Sequence, residues 1–434
     1  MLTIYGKSER FCDGVSRRNF LKIGAIGLAG LSLPEILRAE ALAGAKNPHK
    51  AVIMVYLPGG PSHMDMFDLK PDAPSDIRGE FNPIKTNVSG IQICEHMPKL
   101  AQMMDKLAVL RTCVGSEGAH SEFQCLTGHV KKNMPSGGWP SLGACLSKLK
   151  GPSDPGVPPY ITLGGGSRET IDAGFLGVSH NPFSPSGPGK ADMILNGVTL
   201  DHLADRKALL TSLDRFRRDS DNSRTMEGMD VFDRQAMDVI TSSKLVDALD
   251  LQKEKKEIRE RYQSGKGDRR STDSFLLARR LVEAGARCVT LAFGGWDTHG
   301  QNFKSMAEQL PRLDTGLSAM IQDLHDRGMD KDVSVIMWGE FGRTPKINKN
   351  AGRDHWPKVT GALMAGGGMK LGQAIGSTDR DAADVSTRPV QFSEVFATLY
   401  HNLGIDASKV VLPDLTGRPE YLVDGVLPIE ELVG

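Results

Sequence analysis

Cys288-Val-Thr-Leu-Ala-Phe293 and Val333-Ser-Val-Ile-Met-Trp338 are short, continuously apolar runs of the kind that forms strands buried on both faces. Between them Met306, Leu310, Leu313, Leu317, Met320, Ile321 and Leu324 recur at helical spacing. Strand, loop, long helix and strand in that order make a βαβ unit. Working outward, Ala51-Val-Ile-Met-Val-Tyr-Leu57 and Leu107-Ala-Val-Leu110 read as two further buried strands. Gly361-Ala-Leu-Met-Ala365 adds another apolar run, and a helix is expected from about Ser393 to Asn402. Arg279 to Gly285 closes an amphipathic helix. The expected architecture is α/β, with a mainly parallel sheet covered by helices on both faces as a three-layer core.

The rest of the chain differs in composition. Arg206 to Lys266 is densely charged, and a mostly helical insertion is expected at about 200–268. Gly151 to Tyr160 and Ser184 to Gly189 are rich in Pro and Gly and read as loops; Ser264 to Arg270 is a polar, basic hinge. At the N-terminus, Ser16-Arg17-Arg18-Asn19-Phe20-Leu21-Lys22 precedes an apolar stretch, Ile23 to Leu33, and small residues from Ala39 to Ala45. That order matches a twin-arginine export signal over residues 1–45, with the translocase as transient partner and a periplasmic or extracellular destination. The apolar stretch is too short for a stable membrane anchor. The working domain is then 46–434.

The formal net charge of +0 argues against a nucleic-acid partner. Of six cysteines, Cys12 falls in the signal, and Cys94, Cys113, Cys125, Cys145 and Cys288 show no CxxC spacing, which gives no support to a thiolate metal cluster. Export permits disulfides among these five, with at least one thiol left over unless it pairs between chains.

Reactive residue types collect where the strands end. Ser62-His63-Met64-Asp65-Met66-Phe67-Asp68 follows the first strand, Trp296-Asp297-Thr298-His299 the 288–293 strand, and Gly339-Glu340-Phe341-Gly342-Arg343 the 333–338 strand. Gly352-Arg353-Asp354-His355-Trp356-Pro357 repeats the mixture. Carboxylates and imidazoles on loops from separate strands suit a divalent ion such as Zn, Mn, Mg or Ca. Each piece also has a plainer reading. Asp297 and His299 can cap the following helix, Asp354-His355 can form a surface turn, Glu340 and Arg343 can pair locally, and His63 can be a hydrogen-bonded loop histidine.

The stretches from Leu57 to Pro71, Gly295 to Asn302, Trp338 to Pro345 and Gly352 to Pro357 resemble the domain of unknown function 1501 family. These are twin-arginine-exported bacterial proteins often described as sulfatase-like. That family is similar to a distant branch of the alkaline-phosphatase superfamily, which implies an alkaline-phosphatase-like core and hydrolysis of phosphate or sulfate esters. Carried over by position, the resemblance implies metal ligands at Asp65 (with His63 and Asp68 as rivals), Asp297, His299, Glu340 and His355. It implies a nucleophile at Ser121, within Gly118-Ala-His-Ser121-Glu-Phe-Gln-Cys-Leu-Thr-Gly128, where a helix N-terminus favours an anion. Arg343 and His120 are then expected to hold the oxygens of an anionic ester.

Two departures stand out. Phe341 stands where the superfamily carries an imidazole, and Cys-x-Pro-x-Arg, the maturation motif of formylglycine sulfatases, is absent. They keep a second class in view, an exported protein that retains the fold to bind metal, glycan or another envelope component.

Overall fold

The computed structural model describes residues 49–164, 173–185, 242–263 and 272–433. The expected export signal, the Ser264 to Arg270 hinge and most of the expected insertion lie outside the described residues. Of the insertion, residues 242–263 are described, and they form short helices at Ser243–Leu249 and Lys256–Arg261.

Eight strands build the central sheet: β1 (Ala51–Tyr56), β2 (Leu107–Val114), β3 (Tyr160–Thr162), β4 (Cys288–Ala292), β5 (Val333–Trp338), β6 (Thr360–Gly366), β7 (Gln373–Ile375) and β8 (Val390–Gln391). Their order is β7-β2-β6-β5-β1-β4-β3, with β8 also on β2. All pairings are parallel except the two made by β6, which runs against β5 and β2. The mainly parallel sheet is thus as expected. β6 reads as an apolar run in the sequence, but its direction depends on neighbours distant in the chain.

Alternation along the strands explains the layers. Ala51, Ile53 and Val55 of β1 join one apolar cluster, which includes Phe275, Leu281, Leu313 and Leu317. These come from α2 (Asp273–Ala284) and α3 (Asn302–Asp326), named after α1 (Leu142–Lys150). Val52, Met54 and Tyr56 face the other way, toward Leu142 and Leu146 of α1 and Val395, Phe396 and Leu399 of α4 (Phe392–Asn402). Successive side chains point to opposite faces, so a strand apolar at every position needs a helical layer on both sides. Burying each large aliphatic side chain contributes about 1.5–3 kcal/mol. The expected terminal helix is α4, started by a capping box in which Glu394 answers Gln391.

Tyr56 pairs with Ala292 on one side and Trp338 on the other, so three loops leave the carboxyl edge side by side. The reversed β6 begins at the same edge, with Thr360 opposite Cys113 of β2. Loops 57–68, 115–122, 293–301 and 339–359 therefore meet there. Among the described residues no helix is long and apolar enough to cross a membrane. The five described cysteines are all buried and unpaired, so no disulfide forms among them. Burial raises the thiol pKa of each, to about 12 for Cys94, Cys113 and Cys145.

Candidate metal centre

His120, Asp297, His299 and His355 each bring one ligand atom into a group whose members lie within 4.8 Å of one another. Their side chains stay 43%, 46%, 48% and 30% exposed, which leaves one face open to solvent. His299 Nε2 lies 3.1 Å from His355 Nε2 and 3.0 Å from Asp297 Oδ1. His355 Nε2 is 3.3 Å from Asp297 Oδ1, and His120 Nε2 is 3.3 Å from Asp297 Oδ2.

Proton positions follow from the outer contacts. His299 Nδ1 lies 2.7 Å from Asp354 Oδ1, and His120 Nδ1 lies 3.1 Å from Glu340 Oε1. An ionised carboxylate only accepts, so in the tautomer that places the single ring proton on Nδ1 both outer contacts are donated hydrogen bonds and both Nε2 atoms present bare lone pairs. Those lone pairs converge with the Asp297 oxygens, an arrangement that repels itself unless a cation or extra protons lie between. Carboxylate-backed imidazoles aimed at one point are how metal-binding histidines are oriented. The donor set therefore fits a divalent ion.

Electrostatics point the same way. Burial favours a neutral Asp297, but Arg343, His355 and His120 more than offset it and hold the carboxyl below its ordinary pKa. His355 is held below the usual imidazole value by burial, with help from Arg343 and His120 and against its bond to Asp297. The bond from His299 holds Asp354 low as well. At neutral pH His355 is a lone-pair donor and both aspartates are anions.

The backbone explains the precision. Arg343 and His355 stand directly opposite in a two-residue antiparallel ladder. Gly59 and Gly60 have φ of 102° and 66°, and a Cβ on either would strike Asp297 or the Phe341 ring. Only glycine allows the first loop this close approach. Its amides bind Glu340, Gly59 N at 2.9 Å from Oε1 and Gly60 N at 3.2 Å from Oε2. The Tyr56 hydroxyl also donates to Glu340.

Several expected roles change. Asp65 does not reach the cluster: Arg353 grips both its oxygens at 2.7 and 2.9 Å, and Asn302 and Ser62 donate to Oδ2 at 3.0 and 2.6 Å. Its rival Asp68 takes Lys70 and Thr378 instead. Glu340 is 3% exposed and stands behind His120, filled by donors. Arg343 is fully buried and spends its donors on Asp297 and on main-chain carbonyls, so it cannot hold a substrate oxygen. His120, expected to hold the ester, points its Nε2 at Asp297 within the ligand group. Ser121 is 7% exposed, and its Oγ accepts the Phe123 amide at 3.3 Å at the head of the short helix Phe123–Thr127.

The plainer readings resolve too. The residue before α3 is Gln301, so neither Asp297 nor His299 caps that helix. His355 lies in a ladder rather than a turn, and Glu340 and Arg343 bond to other groups. His63 is 2% exposed with both ring nitrogens unbonded, and burial lowers its pKa to about 4. The supporting role of Asp354 was open to sequence reading only through its place beside His355.

The family profile described as "Protein of unknown function (DUF1501)" matches residues 49–433. The chain belongs to this family. Its path also resembles that of several solved structures. Ps i-CgsB, in complex with k-i-k-neocarrahexaose, is 12% identical, with 82% of this chain and 72% of that one covered and a TM-score of 0.36. The PsFucS1 sulfatase from Pseudoalteromonas sp. is 10% identical, with 85% and 70% covered and a TM-score of 0.36. The lipoteichoic acid synthase LtaP from Listeria monocytogenes is 9% identical, with 85% and 78% covered and a TM-score of 0.30. No curated protein sequence matches this chain.

Proposed function

We propose that this chain is an exported, divalent-metal-dependent hydrolase of phosphate or sulfate esters on an alkaline-phosphatase-like core. One observation carries the reading: three imidazole Nε2 atoms and the Asp297 carboxylate converge at the carboxyl edge of the sheet with one face open. His120, Asp297, His299 and His355 would hold the ion, which when bound supplies Lewis acidity toward an ester oxygen and acidifies water. A nitrogen-rich set suits Zn²⁺ better than Mg²⁺ or Ca²⁺.

The chain's own groups prepare the reaction. Glu340 and Asp354 hold the Nδ1 protons of His120 and His299 and so fix both rings. Arg343 fixes Asp297. Ser121 is buried and already accepts a backbone amide, so in this reading the attacking oxygen comes from solvent at the open face. That oxygen bonds to phosphorus or sulfur, and the ester oxygen departs with a proton.

Arg343 and Arg353 are both fully buried, and this favours a second reading, a non-catalytic envelope protein that keeps the centre to bind metal, glycan or another envelope component. Turnover separates the two. The metal-loaded protein is expected to cleave at least one class among phosphate monoesters, phosphate diesters and sulfate esters, and to stop when chelated. Inertness toward all three leaves the second reading. Export is tested separately by replacing Arg17 and Arg18 with Lys, which should retain the precursor in the cytoplasm; normal export would exclude the twin-arginine route.

A further inference from the structure

We propose that the guanidinium of Arg343 is a tethered cation filling an all-oxygen cage beside the histidine cluster, so that the centre takes one divalent ion per chain and not two. This rests on the metal reading above. Arg343 is fully buried, and every oxygen around it is an acceptor from the site's own loops. Nη2 meets Asp297 Oδ1 at 2.6 Å and also the carbonyl of Gly59. Nε meets the Gly60 carbonyl at 2.8 Å, and Nη1 the Arg353 carbonyl at 2.9 Å. Three carbonyls and a carboxylate are the ligand chemistry of a hard cation. Here that charge belongs to a side chain that stays protonated and cannot leave.

Three neighbouring residues, Asp297, Phe341 and Glu340, withhold ligands from a second ion. A carboxylate that bridges two ions gives one oxygen to each, but Asp297 Oδ1 is already divided between this fixed charge and the His299 and His355 side of the centre, and Oδ2 faces His120. Phe341 is fully buried, with its ring centroid 4.3 Å from that of His355 and 5.1 Å from that of His120. It lines that side of the centre with an apolar ring that offers no ligand atom. The guanidinium carbon stands 5.5 Å from the same ring. Glu340 is saturated by Gly59, Gly60, Tyr56 and His120 and is not free to coordinate.

The test is a titration of the chelator-stripped full chain with Zn²⁺, counting bound metal by elemental analysis. Saturation at one equivalent is expected. Two tightly bound equivalents overturn the proposal and leave the hydrolase reading standing, whereas no bound metal overturns both. An independent arm uses Arg343→Ala. Its melting temperature should fall, and millimolar methylguanidinium should restore it by several degrees while leaving the parent unmoved. A folded variant that shows no such rescue also overturns the proposal, and should the variant not fold, the titration of the parent still decides.

Discussion

The Nε2 atoms of His299 and His355 stand 3.1 Å apart, although the two residues lie 56 positions apart in the chain. In the tautomer that donates Nδ1–H to Asp354, His299 turns a bare Nε2 toward His355, the arrangement the proposed metal centre needs. His299→Ala and His355→Ala should therefore each lower Zn²⁺ affinity strongly, because water replaces a lost imidazole poorly. His325→Ala, at the far end of α3, should not. Equal affinity in all three variants, measured by competition with a chelating dye, would remove the assignment.

Glu340 acts on the centre through His120. Glu340→Ala should leave the fold intact at low temperature and weaken Zn²⁺ binding by roughly 10- to 100-fold, the usual effect of losing a histidine's carboxylate partner. Glu340→Gln keeps an acceptor for Nδ1 and should recover part of that loss. If neither variant differs from the parent, His120 does not depend on Glu340.

Asp65 and Arg353 form a fully buried pair that ties the first loop to the segment bearing Asp354 and His355. Asp65→Ala strands the Arg353 charge and should cost on the order of 3–5 kcal/mol in unfolding free energy. Metal stoichiometry of the folded fraction should not change. A lost equivalent with unaltered stability would return Asp65 to the ligand set.

How far the sequence carries is visible in these residues. β1, β4, β5 and α3 were legible because their apolar patterns are local. Tyr160–Thr162 was hidden at the end of a Pro- and Gly-rich stretch, and at three residues it is too short to show a period. The motif loops were legible, and of their residues the structure brings Asp297, His299 and His355 together. The distinction between Asp65 as ligand and Asp65 as anchor was not legible, because it is set by Arg353, 288 positions away. Burial of Arg343 was equally hidden, since a guanidinium that serves the main chain and one that serves a substrate look alike in sequence.

His63 should make the protein sensitive to acid. Its folded pKa is about 4, below the ordinary 6.5, so the unfolded chain binds the extra proton first. Stability is then full above about pH 6.5, falls as pH drops toward 4, and loses roughly 3 kcal/mol from this residue at about 1.4 kcal/mol per pH unit. Denaturant unfolding across that range should show a flatter acid limb for His63→Leu than for the parent. Parallel curves would mean that the ring finds a partner when charged.

Ser121 separates a solvent nucleophile from a serine one. If solvent attacks, Ser121→Ala should keep turnover within a few-fold of the parent and lose about 1 kcal/mol or less of stability with the contact to Phe123. A fall of three or more orders of magnitude at unchanged metal content would restore the serine mechanism.

The central claim is that His120, Asp297, His299 and His355 together hold one divalent ion, and X-ray absorption at the zinc edge of the Zn²⁺-loaded protein reads it most directly. The account predicts scattering from three imidazoles with oxygen completing the shell, falling to two imidazoles in His355→Ala. A spectrum with oxygen neighbours alone, or one unchanged by that substitution, would contradict it.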